Sequence, residues 1–308
     1  MNLSRSILLW MSENKFMNER IPKMGFVRKA VKRFMPGETE EAALDAALEF
    51  SKLGIPSVFT KLGENINQLS EAEAVRDHYL QLIDKIAARK LDIEISVKLT
   101  QLGFDLSEED TYNNFTAIVK EAKEKLGNEV FIDMEGSIYT QRTIDFYKKV
   151  KKQFDNIGIC IQAYLLRTKN DIEDLLQINS SVRIVKGAYK EPHNIVFKDK
   201  SEVDENFFNC AKKLLIESKT KNIRPVFATH DEVLIRRIIN EAEEQKIEKS
   251  KYEFQMLYGI KTSLQKQLAK DGFKFRVLIA YGESWYPWYM RRLAERPTNI
   301  WFVIKNIF

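Results

Sequence analysis

The sequence predicts an α/β protein built as a (β/α)8 barrel of the TIM type with additional N-terminal helices. Eight short runs rich in β-branched and aromatic residues alternate with longer charged stretches of helical period. The 308 residues exceed the roughly 250 that such a barrel usually needs. Prolines and glycines number only seven and twelve and form no repeats, which excludes disordered and fibrous classes. A strand followed by a helix, repeated eight times, is typical of a closed parallel barrel.

The first 50 residues precede the first predicted strand and contain apolar residues at helical spacing, including Val27, Val31 and Phe34. We therefore expect a helical arm over residues 1–50 and a catalytic barrel over residues 51–308. The eight predicted strands are 55–60, 93–99, 130–134, 157–163, 182–187, 225–229, 252–257 and 275–280.

Signals for helix starts lie between these strands. Ser70 and Glu73 have the spacing of a capping box, and acidic residues follow Ser107 and Ser201. We expect helices to begin at these three places.

Alternation along the strands indicates which side chains face the lumen. Because the helix-facing set must be apolar, Ile93, Ile95 and Val97 point outward. Their neighbours Glu94, Ser96 and Lys98 then point inward, as do Gly158, Cys160, Gln162 and Tyr164 of the fourth strand. Ordinary barrels fill the lumen with Val, Ile and Leu. This sequence instead predicts a polar lumen. The small residues Gly158, Gly187 and Ala280 are expected to leave it partly empty, with room for a planar ligand at its C-terminal mouth.

Composition excludes several function classes. The net charge of +5 is spread along the chain rather than gathered in a block, which argues against nucleic-acid binding. Two cysteines fifty residues apart predict reduced thiols rather than a disulfide framework. The apolar run 7–11 is too short for a signal peptide or a membrane span. We expect a cytoplasmic protein.

Several familiar motifs are absent. No two glycines have the G-x-G spacing, so a Rossmann site and a phosphate-binding loop are excluded. The sequence has no G-x-S-x-G, and three scattered histidines do not predict a metal site.

Polar residues near the predicted strand ends form the remaining candidate site. They are Lys98, Asp133, Gln162, Arg183, Lys186, Thr229, His230 and the pair Arg291 and Arg292. A buried ammonium needs a partner, and we expect Lys98 to pair with Asp133 of the adjacent strand. Two arginines at a barrel mouth can clamp a carboxylate, although they could also belong to a solvated helix face. Gly187 could admit a ligand close to the backbone or form only a turn.

The ordered motifs resemble the proline dehydrogenase family. They are S-V-K-L at 96–99, I-D-M-E at 132–135, I-Q-A-Y at 161–164, R-I-V-K-G-A-Y at 183–189, A-T-H-D at 228–231, F-Q-M-L-Y-G at 254–259 and Y-G-E-S-W-Y-P-W-Y-M-R-R-L-A-E-R-P at 281–297. The likeness runs in chain order from about residue 55 to residue 297.

This resemblance implies a distorted barrel that binds FAD non-covalently and oxidises L-proline or a related cyclic amino acid to Δ1-pyrroline-5-carboxylate, passing electrons to a quinone or another acceptor. It implies that Arg291, Arg292 and Lys98 hold the substrate carboxylate, and that Asp133, Tyr189 and Leu257 line the ring pocket. It assigns Gln162, Arg183, Val185, Lys186, Gly187, Thr229 and His230 to FAD. Glu64 matches a glutamate that can pair with the first clamp arginine and close the pocket.

The sequence departs from the family at two pocket positions. Leu278 and Trp288 stand where most members have tyrosines that pack around the substrate ring. A shifted alignment would instead bring Tyr281, Tyr286 or Tyr289 into one of these roles.

Two alternatives stay open from the residues alone. A Schiff-base barrel of the class I aldolase type would use Lys98 or Lys186 as its nucleophile. A small-molecule sensor could use the same barrel without catalysis. Because the family passes electrons to membrane quinones, the apolar segment 301–308 either makes a peripheral membrane contact or packs back on the barrel.

Overall fold

The computed structural model describes residues 3–64 and 66–295, and it contains the predicted barrel. Eight parallel strands pair in chain order and close between the last and the first. The strands are β1 Ser57–Lys61, β2 Ile93–Val97, β3 Val130–Ile132, β4 Ile157–Gln162, β5 Ser181–Val185, β6 Pro225–Ala228, β7 Glu253–Leu257 and β8 Lys274–Tyr281.

Helices alternate with these strands and also precede them. They are α1 Leu3–Glu13, α2 Lys15–Arg20, α3 Gly25–Val31, α4 Glu40–Ser51, α5 Leu69–Ala88, α6 Glu108–Leu126, α7 Ser137–Lys151, α8 Thr168–Leu176, α9 Lys200–Glu217, α10 Glu232–Glu244, α11 Thr262–Lys270 and α12 Trp285–Glu295. Among the described residues, no helix is long and apolar enough to cross a membrane. The division of the chain at residue 50 into an arm and a catalytic domain stays a prediction.

Each of the eight predicted runs overlaps an observed strand, and the ends agree to within two residues. The strand β2 ends two residues before the predicted run does, because Leu99–Leu102 form a 3-10 turn instead of continuing the strand. Gly103 ends this turn at a φ of 106°, a conformation that favours glycine. Lys98 therefore lies at the junction of strand and turn, at the C-terminal end of the barrel.

The predicted helix starts are correct in one case of three. Ser107 caps α6, since its hydroxyl accepts a hydrogen bond from the backbone N–H of Asp110 at 3.1 Å. The capping box at Ser70 is wrong because α5 already begins at Leu69. The start at Ser201 is also wrong: the capping box there joins Asp199 and Glu202, and α9 begins at Lys200. In both cases the polar residues are present, but the helix begins one residue before the predicted capping serine.

The predicted inward residues do make the lumen polar. At its lower end, Arg224 donates to Glu94 at 2.6 Å, to Glu129 at 2.9 Å and to Glu253 at 2.7 Å. The outward residues of the same strands lie in the main hydrophobic core between the barrel and its helices. Ion pairs replace the usual aliphatic layers in this part of the lumen.

The expectation of an emptied lumen is wrong at Gly158. A Cβ atom there would lie 2.4 Å from the ring of Phe131, so the glycine makes room for that ring. The centre of the Phe131 ring lies 4.9 Å from the guanidinium of Arg183 and 5.5 Å from that of Arg224. The space left by the missing side chain of Gly158 is therefore filled by a packed aromatic ring and is not available to a ligand.

A second hydrophobic cluster joins the N-terminal helices to the C-terminal end of the chain. Helix α1 packs against α12, and the cluster also includes residues from the ends of β7 and β8. Its members include Leu8, Leu9, Val27, Val31, Phe34, Leu62, Leu257, Ala280, Trp285, Trp288, Tyr289 and Leu293. The N-terminal helices thus hold α12, which carries Arg291 and Arg292, in place at the barrel mouth.

Candidate active site

A buried ion pair occupies the upper lumen. The guanidinium of Arg183 donates to the carboxylate of Asp133 and, at 2.8 Å, to the hydroxyl of Ser96. Ser96 and Thr60 also donate to this carboxylate, at 2.8 and 3.1 Å. Burial is the largest single effect and opposes the charge on Arg183, but Asp133, together with Cys160 and Glu94, outweighs it and raises the pKa of the guanidinium. Arg183 is thus a fixed cation with only 1% of its surface exposed.

The expected pair between Lys98 and Asp133 is wrong. Asp133 follows β3 with its side chain directed across the lumen to β5, where Arg183 reaches it first. Lys98 is 6% exposed, and within the described part of the chain it forms no ion pair. Its charge acts at longer range on Glu135. The ammonium of Lys98 can therefore bind an incoming carboxylate without first breaking an ion pair.

Three elements meet around Glu64, which follows β1. Arg291 of α12 donates to Glu64 at 2.6 Å, and the hydroxyl of Tyr189 donates to the same carboxylate at 3.2 Å. The guanidinium of Arg291 also lies 4.8 Å from the centre of the Tyr189 ring. The pair of Glu64 with the first arginine of the doublet, which the motifs implied, is therefore present. Tyr189 and Arg291 form one connected unit with Glu64.

Apolar side chains lie beside this unit. Leu257 and Leu278 occupy matching positions in the paired strands β7 and β8. Trp288 on α12 is 8% exposed and belongs to the same cluster as Leu257. Tyr281 does not join them, because its hydroxyl contacts His78 at 2.8 Å on the helix-facing side of β8. The alignment that assigns the two pocket positions to Leu278 and Trp288 therefore fits the structure better than a shifted alignment that uses Tyr281, because Tyr281 faces the helices.

The residues assigned to a cofactor lie at the ends of β4, β5 and β6. Gln162 pairs in register with Val185 and is 2% exposed, and its side-chain amide oxygen Oε1 has no hydrogen-bond partner among the described residues. The hydroxyl of Thr229 accepts a hydrogen bond from the N–H of Asp231 at 3.2 Å. His230 accepts one from the N–H of Leu257 at 2.9 Å, through its Nε2. These contacts fix the loop after β6 against the end of β7.

Lys186 and Gly187 differ from the others in their surroundings. The ammonium of Lys186 bonds to Asp204 and, at 2.9 Å, to Asp231, both on the helix side of β5. Gly187 has a φ of 111°, and a Cβ atom there would lie 2.2 Å from the ring of Tyr164. Only glycine fits this turn, because the ring of Tyr164 fills the space that a side chain would need.

Sequence reasoning missed Glu135. It shares the inward parity of Asp133, and both of its carboxylate oxygens accept hydrogen bonds from Thr100: one from the backbone N–H at 3.2 Å and one from the hydroxyl at 2.6 Å. Burial raises the pKa of Glu135 to about 7, and the neighbouring Glu64 adds to the effect. The signal that could have found it is the alternation along the third strand, which puts Glu135 on the same side as Asp133.

Comparison with known proteins decides the family. A family model described as "Proline dehydrogenase" matches residues 43–304. The chain belongs to the proline dehydrogenase family. This confirms the resemblance and agrees with the observed barrel.

Curated relatives match the chain over almost its full length. "Proline dehydrogenase 2" of Bacillus subtilis strain 168 is 36% identical over 305 residues, which is 99% of both chains. "Proline dehydrogenase" of Deinococcus radiodurans is 34% identical over 280 residues, covering 89% of each. Both of these proline dehydrogenases are therefore similar to this chain over most of its length.

Solved structures extend the proline dehydrogenase likeness to the fold. Proline utilization A from Bdellovibrio bacteriovorus, inactivated by N-propargylglycine, has a TM-score of 0.80 and 25% identity over 94% of this chain. Proline utilization A from Bradyrhizobium japonicum has a TM-score of 0.72 and 26% identity over 86% of it. The chain spans only 38% and 30% of these longer proteins.

The structure brings most of the predicted proline dehydrogenase site residues to one end of the barrel. Lys98, Asp133, Gln162, Arg183 and Val185 lie in or directly after strands whose C-terminal ends meet there. Glu64, Tyr189 and Arg291 join them through direct contacts. Lys186 is the exception, since its ammonium is held outside the lumen by two aspartates.

Proposed function

We propose that this protein oxidises L-proline, or a closely related cyclic amino acid, to Δ1-pyrroline-5-carboxylate with FAD as the hydride acceptor. A quinone or another acceptor would then take the electrons, and the reaction would begin proline catabolism. The observation that carries the proposal is the position of Arg291, paired with Glu64 and stacked on Tyr189, at the mouth of a barrel whose upper lumen holds the buried cation Arg183.

The cationic groups account for recognition of the substrate carboxylate. Arg291 offers planar N–H donors that match a carboxylate in two parallel hydrogen bonds, and Arg292 and Lys98 add positive charge. Glu64 occupies Arg291 in the structure and would hold it in place as the substrate arrives. Tyr189, Leu257, Leu278 and Trp288 would surround the ring. A ring held at one end by charge and on its sides by apolar groups has a defined orientation.

The residues at the ends of β4 and β5 suit a flavin. The side-chain amide oxygen of Gln162 is buried and needs a donor, and an imide N–H of a flat heterocycle would provide one. Arg183 supplies a buried positive charge, which stabilises the negative charge that reduction places on the ring system. Val185, Gly187, Thr229 and His230 would complete the binding surface, and Lys186 would act from outside the lumen. When bound, FAD supplies the acceptor for a hydride.

The protein would contribute orientation more than acid or base catalysis. Hydride leaves the substrate carbon next to nitrogen only when the amine is neutral and the carbon faces the acceptor. The carboxylate clamp would set this direction. Arg183, Ser96 and Thr60 hold the carboxylate of Asp133 in place, close to where the substrate ring would lie. The surrounding aromatic and aliphatic side chains would exclude water.

The aldolase alternative loses one of its two candidate nucleophiles. A Schiff base needs an amine that the substrate can reach, but Lys186 forms ion pairs with two aspartates outside the lumen. Lys98 alone is left for that reaction, and the proposed proline oxidation gives it another role, as part of the carboxylate clamp. The arginine doublet has no role in the aldolase mechanism.

A spectroscopic experiment tests the proposal. The purified protein should be yellow, with FAD released on denaturation, and the colour should bleach when L-proline is added without oxygen. Protein that is colourless and cannot be reconstituted with FAD would overturn the cofactor assignment. Yellow protein that bleaches with dithionite but not with proline or other cyclic amino acids would overturn the substrate assignment. We also propose that the protein acts in the cytoplasm.

A further inference from the structure

A long loop carries Tyr189 to the candidate site. This β5–α9 loop, residues 186–199, joins the fifth strand to the helix after it and contains neither helix nor strand. Tyr189 donates to Glu64 at 3.2 Å, and its ring centre lies 4.8 Å from the guanidinium of Arg291. The position of a side chain proposed to line the ring pocket therefore depends on how the loop is held.

Backbone hydrogen bonds fix the two ends of the β5–α9 loop to the segment that follows β4. The N–H of Tyr164 donates to the carbonyl of Lys186 at 2.8 Å, and the N–H of Phe197 donates to the carbonyl of Tyr164 at 2.9 Å. The N–H of Leu166 donates to the carbonyl of Ile195 at 2.9 Å. The middle of the loop, which contains Tyr189, spans the distance between these two fixed ends.

The side chain of Glu191 joins the middle of the loop, residues 188–194, to another element. Its carboxylate accepts hydrogen bonds from the backbone N–H of Ser137 at 2.7 Å and from the hydroxyl of Ser137. The hydroxyl of Tyr164 donates to the same carboxylate at 3.1 Å. Among the described residues, Tyr189 and Glu191 are the two side chains of this stretch that form hydrogen bonds. Segment 301–308 lies outside the described residues, so its membrane contact stays a prediction.

Ser137 is the first residue of α7, and the residue before it cannot cap the helix. Gly136 has no side chain to accept a hydrogen bond, so the first N–H groups of α7 need a partner from elsewhere. Glu191 provides that partner, and its negative charge lies at the positive end of the helix dipole, where a carboxylate is favourable. Because α7 begins just after Asp133 and Glu135, the contact joins the loop to the wall of the candidate site.

We propose that Glu191 is a positioning residue, which binds the β5–α9 loop to the N-terminus of α7 and thereby holds Tyr189 in the ring pocket. Glu191 is two residues from Tyr189 in the chain, so loss of its contacts with Ser137 would let the middle of the loop move. The pocket would then be complete in only a fraction of the molecules, and the apparent affinity for substrate would fall by that fraction. This effect on the substrate rests on the proposed oxidation of proline, whereas the contact itself does not.

Ser107 provides a matched control. Its hydroxyl caps α6 by accepting a hydrogen bond from the N–H of Asp110 at 3.1 Å, within its own helix. Ser107→Ala therefore removes a helix cap, as Glu191→Ala does, but leaves the β5–α9 loop unchanged. Unfolding temperature and far-ultraviolet circular dichroism confirm that each variant is folded.

A spin label tests the contact without a measurement of activity. Cys160 and Cys210 are buried, so a nitroxide reagent reacts selectively at residue 193 in His193→Cys, an exposed position in the middle of the loop. In the full chain, with any cofactor it purifies with, Glu191→Ala should shorten the rotational correlation time of the label about twofold or more. Ser107→Ala should leave the spectrum unchanged. A spectrum that Glu191→Ala does not alter would overturn the proposal.

Steady-state kinetics with proline test the consequence for the substrate. Glu191→Ala should raise KM about fivefold to tenfold and leave kcat within about twofold, because saturating substrate selects the complete pocket. Glu191→Gln keeps an oxygen for the N–H of Ser137 but loses the charge, so its KM should lie between those of the alanine variant and the wild type. Ser107→Ala should keep the wild-type KM. An unchanged KM in Glu191→Ala would overturn the positioning role even if the loop moves faster.

A double-mutant cycle shows whether Glu191 acts through Tyr189. In the Tyr189→Ala background, the addition of Glu191→Ala should change KM less than about twofold, since the side chain that the contact holds is already gone. Single effects that multiply in the double variant would overturn the proposal. Wild-type protein that proline does not reduce would overturn the proposed oxidation instead, and the spin-label spectra would then decide whether Glu191 holds the loop.

Discussion

Arg183 and Asp133 form an ion pair across the barrel lumen although the strands that carry them are not neighbours. Asp133 follows β3 and Arg183 lies in β5, with β4 between them. The two side chains meet because both point to the barrel axis, where Phe131 supports the guanidinium from below. The pair holds a positive charge at the centre of the candidate site.

The first prediction concerns this pair. Arg183→Ala should lower stability by about 3–5 kcal/mol, because Asp133 would stay buried without its cation. It should also weaken FAD binding or slow flavin reduction, since the positive charge is lost. Arg142→Ala is the control, because it removes an exposed partner of Asp105. Urea unfolding, flavin content and single-turnover reduction measure these effects. Normal flavin content together with an unchanged reduction rate would remove Arg183 from the site.

The second prediction concerns the carboxylate clamp. Arg291→Lys should lower kcat/KM for proline roughly tenfold to a hundredfold, because a single ammonium cannot make two parallel hydrogen bonds to a carboxylate. Arg292→Lys should act in the same direction. Arg237→Lys, at an exposed pair with Glu205, should leave kcat/KM unchanged. If both clamp variants keep the wild-type constant in steady-state assays, the doublet belongs to a helix surface and not to the substrate site.

The third prediction concerns ring selection. Leu278 is smaller than tyrosine, so the pocket should accept apolar cyclic amino acids and use proline less efficiently than is usual in the family. A buried 4-hydroxyl group without a partner would cost about 1–3 kcal/mol, which makes 4-hydroxyproline a secondary substrate.

Leu278→Tyr should sharpen selection for proline. Specificity constants for proline, 4-hydroxyproline and pipecolate in the wild type and the variant measure the change. Three unchanged ratios would place Leu278 outside the pocket and would show that the alignment of β8 is wrong.

The fourth prediction uses the raised pKa of Glu135. The folded protein holds this proton up to a pKa of about 7, whereas the unfolded chain releases it near 4.5. The stability that this group contributes is therefore complete below pH 4.5 and is lost as the pH rises through 7. Glu135→Gln should remove this dependence and gain up to about 3 kcal/mol relative to the wild type between pH 5 and pH 8.

Urea unfolding of both proteins at several pH values measures the difference. Glu124→Gln, at an exposed position on α6, is the control and should follow the wild type. Parallel stability curves for Glu135→Gln and the wild type would show that Glu135 is already ionised at pH 5.

The barrel was predictable from the sequence because its strands obey a local rule. Each strand must turn one apolar side to the helices, so alternation of side chains predicted all eight strands and the inward position of Ser96. Helix starts were harder to predict, as Ser70 shows, since several adjacent residues can cap a helix and the path of the chain selects one.

The partners of the site residues could be found only in the tertiary structure. Asp133 pairs with Arg183, 50 residues away, rather than with Lys98, and Glu64 pairs with Arg291, 227 residues away. Gly158 makes room for Phe131, which no local pattern indicates. By itself the sequence determined the strand order, the inward side chains and the family motifs. Barrel closure decided which inward groups meet, because those contacts depend on the register of distant strands and on the volume that each side chain fills.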